Sequence, residues 1–232
     1  MKYKIVEGKL PWTDLGDWLF PEMDNRLSKS VSDNSLDVID AVEIVTQHCP
    51  QMRSCVQAGG AVGVWPSRLA QLFDHVYTFE AHPDNHACLQ RNLRGIDNVT
   101  SQNAALTDVS GETVRMMLDE GEASNAGAYF IRPGGDIPTV AIDDLGLTDC
   151  DLIYLDIEGA ETQAIQGALE TIQRCRPVIG LEEKEKSHLW EKYAHTRSPV
   201  DWLVEDYGYQ VIERCHLDLI LAPGEGNANS LH

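Results

Sequence analysis

Val56-Gln57-Ala58-Gly59-Gly60-Ala61-Val62-Gly63 is followed by a short helical run and then Val76-Tyr77-Thr78-Phe79-Glu80. The stretch reads as an apolar strand, a glycine-rich turn, a helix and a second strand ending in an acid. A glycine turn brings backbone N–H groups close to a ligand, and a strand-end carboxylate can accept from both hydroxyls of a ribose. This is how an α/β sheet holds an adenosine cofactor. The turn is not G-x-G-x-x-G, because Ala61 stands where a pyrophosphate would need a second glycine. That disfavours a dinucleotide and leaves room for a cofactor without phosphates.

The flanking sequence continues the alternation. Ahead of the turn, Val38, Ile39, Val42 and Val45 predict a helix from Ser35 to His48, capped by Ser32, Asp33 or Asn34 and stopped by Pro50. Beyond it, Pro83-Asp84 opens a helix that Gly95 closes, and a third strand runs from about Val99 to Ala105. Val114 to Leu118 and Ala128 to Ile131 suggest an inserted antiparallel pair, joined by a loop with Gly121, Ser124, Asn125 and Gly127. The near-continuous apolar run Leu152-Ile153-Tyr154-Leu155 predicts a strand covered on both faces. A helix from Ala160 to Arg174 and a fifth strand from Pro177 to Leu181 follow. Ser198-Pro199 caps a later helix, and Gln210 to Glu213 with Leu217 to Ala222 read as a hairpin. The expectation is an α/β fold: a mostly parallel sheet, helices on both faces, and a terminal antiparallel hairpin. Residues 1–34 read as an irregular arm and a candidate lid, 35–222 as one domain, and 223–232 as a polar, disordered tail.

Composition narrows the partners. The chain has 232 residues, 18 basic and 37 acidic, for a net charge of −19. Such a surface repels phosphate backbones and anionic bilayers, which argues against nucleic acid and membrane partners. The six cysteines show no C-x-x-C spacing, as expected of free thiols in a reducing compartment. The first residues lack the apolar core of a signal peptide, so the expected location is cytoplasmic.

The ordered set V-Q-A-G-G-A-V-G, Y-T-F-E-A-H-P, Q-N-A-A-L-T-D, V-A-I-D-D-L, L-I-Y-L-D-I-E-G-A-E and P-V-I-G-L-E-E resembles the FkbM-type methyltransferases over about residues 54–222. The resemblance implies a Rossmann-like class I methyltransferase sheet, S-adenosylmethionine as cofactor, and O-methylation of a hydroxyl on a small molecule or sugar. It implies that Gly59, Gly60 and Gly63 lie under the methionine part of the cofactor, Glu80 on the ribose, and Asn103 and Ala104 along the adenine. Asp156 would sit beside the sulfonium and the acceptor. Gln57 stands where the family usually carries an acid; it can hydrogen-bond but brings no charge to the cofactor.

A hydroxyl acceptor must lose its proton. Asp156, at the end of the fourth core strand, is the first candidate base, and His188 the second. Asp156, Glu182 and Glu183 form a candidate Mg²⁺ set, although Glu182 and Glu183 also belong to a charged run that solvation alone explains. Two alternatives stand beside methyl transfer. An NAD-dependent oxidoreductase would want the missing dinucleotide glycine. A non-catalytic nucleoside-binding protein would keep the fold without turnover, and Gln57 is its one hint. An adenine-amine methyltransferase would show D/N-P-P-Y where this chain reads Asp156-Ile157-Glu158-Gly159.

Overall fold

A computed structural model describes residues 2–35, 39–118, 128–182 and 197–224. Seven strands form the main sheet. In chain order they are β3 (Ser54–Ala58), β4 (His75–Phe79), β5 (Val99–Gln102), β10 (Leu152–Leu155), β11 (Val178–Glu182), β12 (Tyr209–Cys215) and β13 (Asp218–Pro223). Their spatial order is β12-β13-β11-β10-β3-β4-β5. The pairs β11–β10, β10–β3, β3–β4 and β4–β5 are parallel, and β13 runs antiparallel to both β11 and β12. The sheet is mostly parallel with a terminal antiparallel hairpin, as the sequence led one to expect.

Both faces are covered, which is why the central strands carry apolar residues at successive positions. One face buries Cys55, Val76, Leu152 and Tyr154 with Val42 and Val45 of α2 (Asp40–Gln47), Leu69 of α3 (Val64–Leu69) and Cys88 of α4 (Pro83–Asn92). The other buries Val56, Ile153, Leu155 and Ile179 with Ile165 of α5 (Glu161–Gln166), Ile172 of α6 (Leu169–Cys175) and Leu203 of α7 (Pro199–Glu205). Strand order reverses between β3 and β10, so a crevice opens beyond the carboxyl ends of these two strands.

Four features differ from the sequence reading. The arm is not irregular: β1 (Tyr3–Glu7) and β2 (Asp17–Pro21) pair antiparallel, and α1 (Leu27–Ser32) follows. Its aromatics explain the order, because Trp18 and Phe20 are fully buried in the same core as Leu10 and Val31. The helix expected from Ser35 begins at Asp40, and Val38 lies outside the described residues; Ser32 and Asp33 end α1 instead of capping α2. The inserted pair is part of a larger sheet. β7 (Thr113–Leu118) and β8 (Tyr129–Pro133) join β6 (Ala105–Leu106) and β9 (Ile137–Val140) in the order β6-β9-β7-β8. The expected third strand is therefore split, β5 in the main sheet and β6 in this one. The loop with Gly121, Ser124, Asn125 and Gly127 lies outside the described residues, as do 225–232 of the expected tail.

The helix expected from Ala160 to Arg174 is broken at Gly167. A Cβ at Gly167 would be driven into the Thr107 carbonyl oxygen, so only glycine allows that close approach. Asp143, in a 3₁₀ turn at Ile142–Leu145, then accepts from the N–H groups of Thr171 (2.7 Å) and Glu170 (3.0 Å). Its carboxylate satisfies donors that a new helix start leaves unpaired.

Candidate active site

A cavity of ≈ 630 Å³ lies at the crevice. Its floor is the segment Ala58 to Val62 with Phe79, Glu80 and Ala81. Gly59 takes φ +83° and Gly63 φ +97°, and Gly59 and Gly60 both donate to the Phe79 carbonyl at 3.0 Å. A Cβ at Gly59 would collide with the Asp156 carbonyl oxygen. The turn is thus pressed against the end of β10, and glycine is required there by both φ and space. A Cβ at Gly60 would come 2.6 Å from Leu89 Cδ1 and 2.8 Å from Thr78 Oγ1. Gly63 caps α3 and lies behind the cavity wall.

Glu80 follows β4 and is 7 % exposed. Its carboxylate accepts from the Ala61 N–H and the His82 N–H, each at 2.7 Å. Burial pushes the carboxyl up to about 7, against the pull of the His82 and Ala61 amides and the Asn85 side chain. Asn103 is not among the residues that line the cavity. Its Nδ2 donates to the Glu80 carbonyl (2.8 Å) and the Ala81 carbonyl (2.9 Å), fixing the loop that presents Glu80. Ala104 does line the wall.

Gln57 is also off the wall. It is fully buried opposite Thr78, accepting from Thr78 Oγ1 at 2.6 Å and donating to the Ala58 carbonyl at 3.0 Å. The neutral amide therefore closes a hydrogen-bond pair inside the sheet, where a buried carboxylate would need compensation.

Across the switch point, Asp156 follows β10 and Glu182 ends β11, both on the cavity wall. Glu158, at φ +55°, turns its side chain to the same place. One ligand oxygen from each of Asp156, Glu158 and Glu182 lies within 4.8 Å of the others. An all-carboxylate oxygen set suits a hard cation such as Mg²⁺ rather than zinc or copper. Glu183 and His188 lie outside the described residues.

Several wall residues were not anticipated. Met116, Tyr129 and Ile131 of the small sheet supply an apolar side, and His216 and Asp218 come from the β12–β13 hairpin. Asp24, Arg26, Leu27 and Ser30 come from the arm. The Tyr129 ring packs 4.3 Å from that of His82, and the Trp65 ring meets Tyr154 edge-on at 5.0 Å. Burial, with the Asp218 and Asp156 carboxylates nearby, raises the Tyr154 phenol well above its usual range. The sequence marks the inserted strands and the terminal hairpin that carry several of these residues, but not that they meet at one cavity. No described helix is long and apolar enough to cross a membrane.

Among solved structures, the FkbM methyltransferase from Methylobacillus flagellatus KT matches with a TM-score of 0.51 at 17% identity, over 74% of this chain and 43% of that one. The chain thus spans less than half of that protein's length. The precorrin-6y C5,15-methyltransferase from Geobacter metallireducens GS-15 gives 0.50 at 15% identity, over 92% of this chain and 97% of that one. At such identities the likeness shows the fold. No curated protein matches the chain. The model of the methyltransferase FkbM domain matches residues 58–211, which is well over half of the sequence, and the chain belongs to that methyltransferase family.

Proposed function

We propose that this protein is an S-adenosylmethionine-dependent O-methyltransferase acting on a hydroxyl of a small molecule or sugar. The observation that carries the reading is Glu80: a buried strand-end carboxylate tied to the glycine turn through the Ala61 N–H, on the floor of the switch-point cavity. The family match favours methyl transfer over the nicotinamide alternative.

When bound, S-adenosylmethionine would supply a sulfonium methyl that passes to the acceptor oxygen, the electron pair of the broken carbon–sulfur bond staying on sulfur. Glu80 would take the ribose hydroxyls as donors, Ala104 would lie along the adenine, and the Gly59–Gly60 turn would let the backbone approach the methionine part. Asp156 holds the acceptor hydroxyl and takes its proton. Met116, Tyr129 and Ile131 exclude water on the acceptor side and hold the acceptor in line with the methyl group. A divalent ion on Asp156, Glu158 and Glu182 would supply Lewis-acid assistance by lowering the hydroxyl pKa. His188 stays a second candidate base on sequence grounds.

Calorimetric titration with S-adenosylhomocysteine and with NAD is the first test. Binding of the nucleoside alone is expected; binding of NAD alone would overturn the reading. A panel of hydroxylated acceptors, with Mg²⁺ and with EDTA, then separates metal-assisted from metal-free transfer and both from a protein that binds without turnover.

A further inference from the structure

The cavity wall is strongly acidic. Asp24, Asp40, Asp156, Glu158, Glu182 and Asp218 join Glu80 on it, and Arg26 is the one lysine or arginine among the described lining residues. That asymmetry sets a problem for the ligand proposed above. The sulfonium and the ammonium of S-adenosylmethionine are welcome in such a field, but its carboxylate is repelled. A fixed cation would offset that repulsion.

Arg26 is placed for that task. It immediately precedes α1, whose Val31 shares a core with Val62 and Val64 of the glycine turn and α3. The arm is held to the turn by Asn92, whose Nδ2 donates to the Val62 and Leu19 carbonyls, each at 2.9 Å, while its Oδ1 accepts from the Leu19 N–H at 2.8 Å. The nearest acid in sequence is already engaged: Asp24 is 3 % exposed and accepts from the Ser28 N–H at 2.8 Å. No hydrogen bond or ion pair ties the Arg26 guanidinium to another described residue. A cation on an acidic wall that pairs with none of the acids is available to an incoming anion.

We infer that Arg26 binds the carboxylate of the cofactor's amino-acid end, so that the N-terminal arm completes the cofactor site. The assignment rests on the methyltransferase reading. A guanidinium fits a carboxylate with two parallel N–H donors, a geometry that an ammonium lacks.

The test compares S-adenosylhomocysteine with methylthioadenosine, which keeps the nucleoside and lacks the amino-acid end. Titrations use the full chain as wild type, Arg26→Gln and Arg26→Lys. Arg26→Gln is expected to weaken S-adenosylhomocysteine by about five- to tenfold and leave methylthioadenosine unchanged, with Arg26→Lys in between. Arg26 is exposed, and an unchanged melting temperature would confirm that the variants fold. If Arg26→Gln weakens both nucleosides equally, or neither, the assignment is overturned while the methyltransferase reading stands. An effect confined to the KM of a carboxylate-bearing acceptor would also overturn it. If wild type binds neither nucleoside, the functional reading fails and the assignment falls with it.

Discussion

The two sides of the switch point each place carboxylates at strand ends, and they do so in opposite ways. On the β3–β4 side, Glu80 stands alone, buried, with backbone N–H groups from Ala61 and His82 at 2.7 Å. On the β10–β11 side, Asp156, Glu158 and Glu182 crowd together with oxygens within 4.8 Å. The first arrangement solvates a charge with the protein's own dipoles, which fixes a carboxylate at one spot. The second gathers like charges at an open wall, where water, a proton, a cation or a positively charged ligand must compensate them. On the proposed reading, the first side would hold the cofactor and the second would carry the reaction.

The largest test removes the joint between the two sides. Gly59→Ala forces a side chain at φ +83° against the Asp156 carbonyl. It should cost about 3 kcal/mol or more, read as a clearly lowered midpoint of urea denaturation. A stable variant would mean that the turn and β10 are not locked together.

Asp156→Ala should separate holding from reacting. Turnover is expected to fall by about 10²–10⁴, as for loss of a general base, with S-adenosylhomocysteine affinity changed only a few-fold in calorimetry. Unchanged turnover would remove Asp156 from the mechanism.

Glu80→Gln probes the holding side through pH. Burial raises the folded carboxyl from 4.5 to about 7. A raised acid pKa gives stability that is complete below the unfolded value and is lost as pH rises through the folded one. In the unliganded protein, wild type should therefore lose about 3 kcal/mol relative to Glu80→Gln between pH 4.5 and 7.5, read from paired denaturation curves. Ligand binding should run the other way. Ribose hydroxyls donate to the ionised form, so S-adenosylhomocysteine affinity should rise with pH through about 7 in wild type and stay flat in the variant.

The smallest effect is expected at the far end of the same strands. Asp151 precedes β10, is 5 % exposed, and accepts from the Arg53 N–H at 2.8 Å and from the Arg53 guanidinium. Burial would raise its carboxyl, but the Arg53 bonds hold it below the usual range. Its stabilisation is present above the unfolded pKa and lost as pH falls through the folded one. Asp151→Asn should cost about 1–2 kcal/mol near neutral pH, less in acid, and leave turnover unchanged. A large loss of turnover would show that the two ends of the sheet are coupled.

Read along the chain, local patterns made the main sheet legible. Apolar runs marked β3, β4, β10 and β11, glycine and proline marked their ends, and Glu80 and Asp156 stood out as strand-end acids. The broken helix was not legible, because the break answers to the Thr107 carbonyl and the cap comes from Asp143, both distant in sequence. Nor was Glu158 separable from Glu161, since both follow the same strand and only the backbone turn at φ +55° aims Glu158 at the cavity. The resemblance points to Gln57 as a cofactor contact because the family usually carries an acid there. Its pairing with Thr78 depends on the register of β3 against β4.

The sequence by itself determined the alternation of strands and helices and the glycine turn with its acid. These follow from periodicity and backbone freedom, which are properties of neighbouring residues. Only the tertiary structure decided which residues share the cavity. Arg26 from the arm, Tyr129 from the small sheet and Asp218 from the terminal hairpin meet there because packing brings distant segments together. No local rule encodes that meeting, since it is set by how each element buries its apolar face against the others.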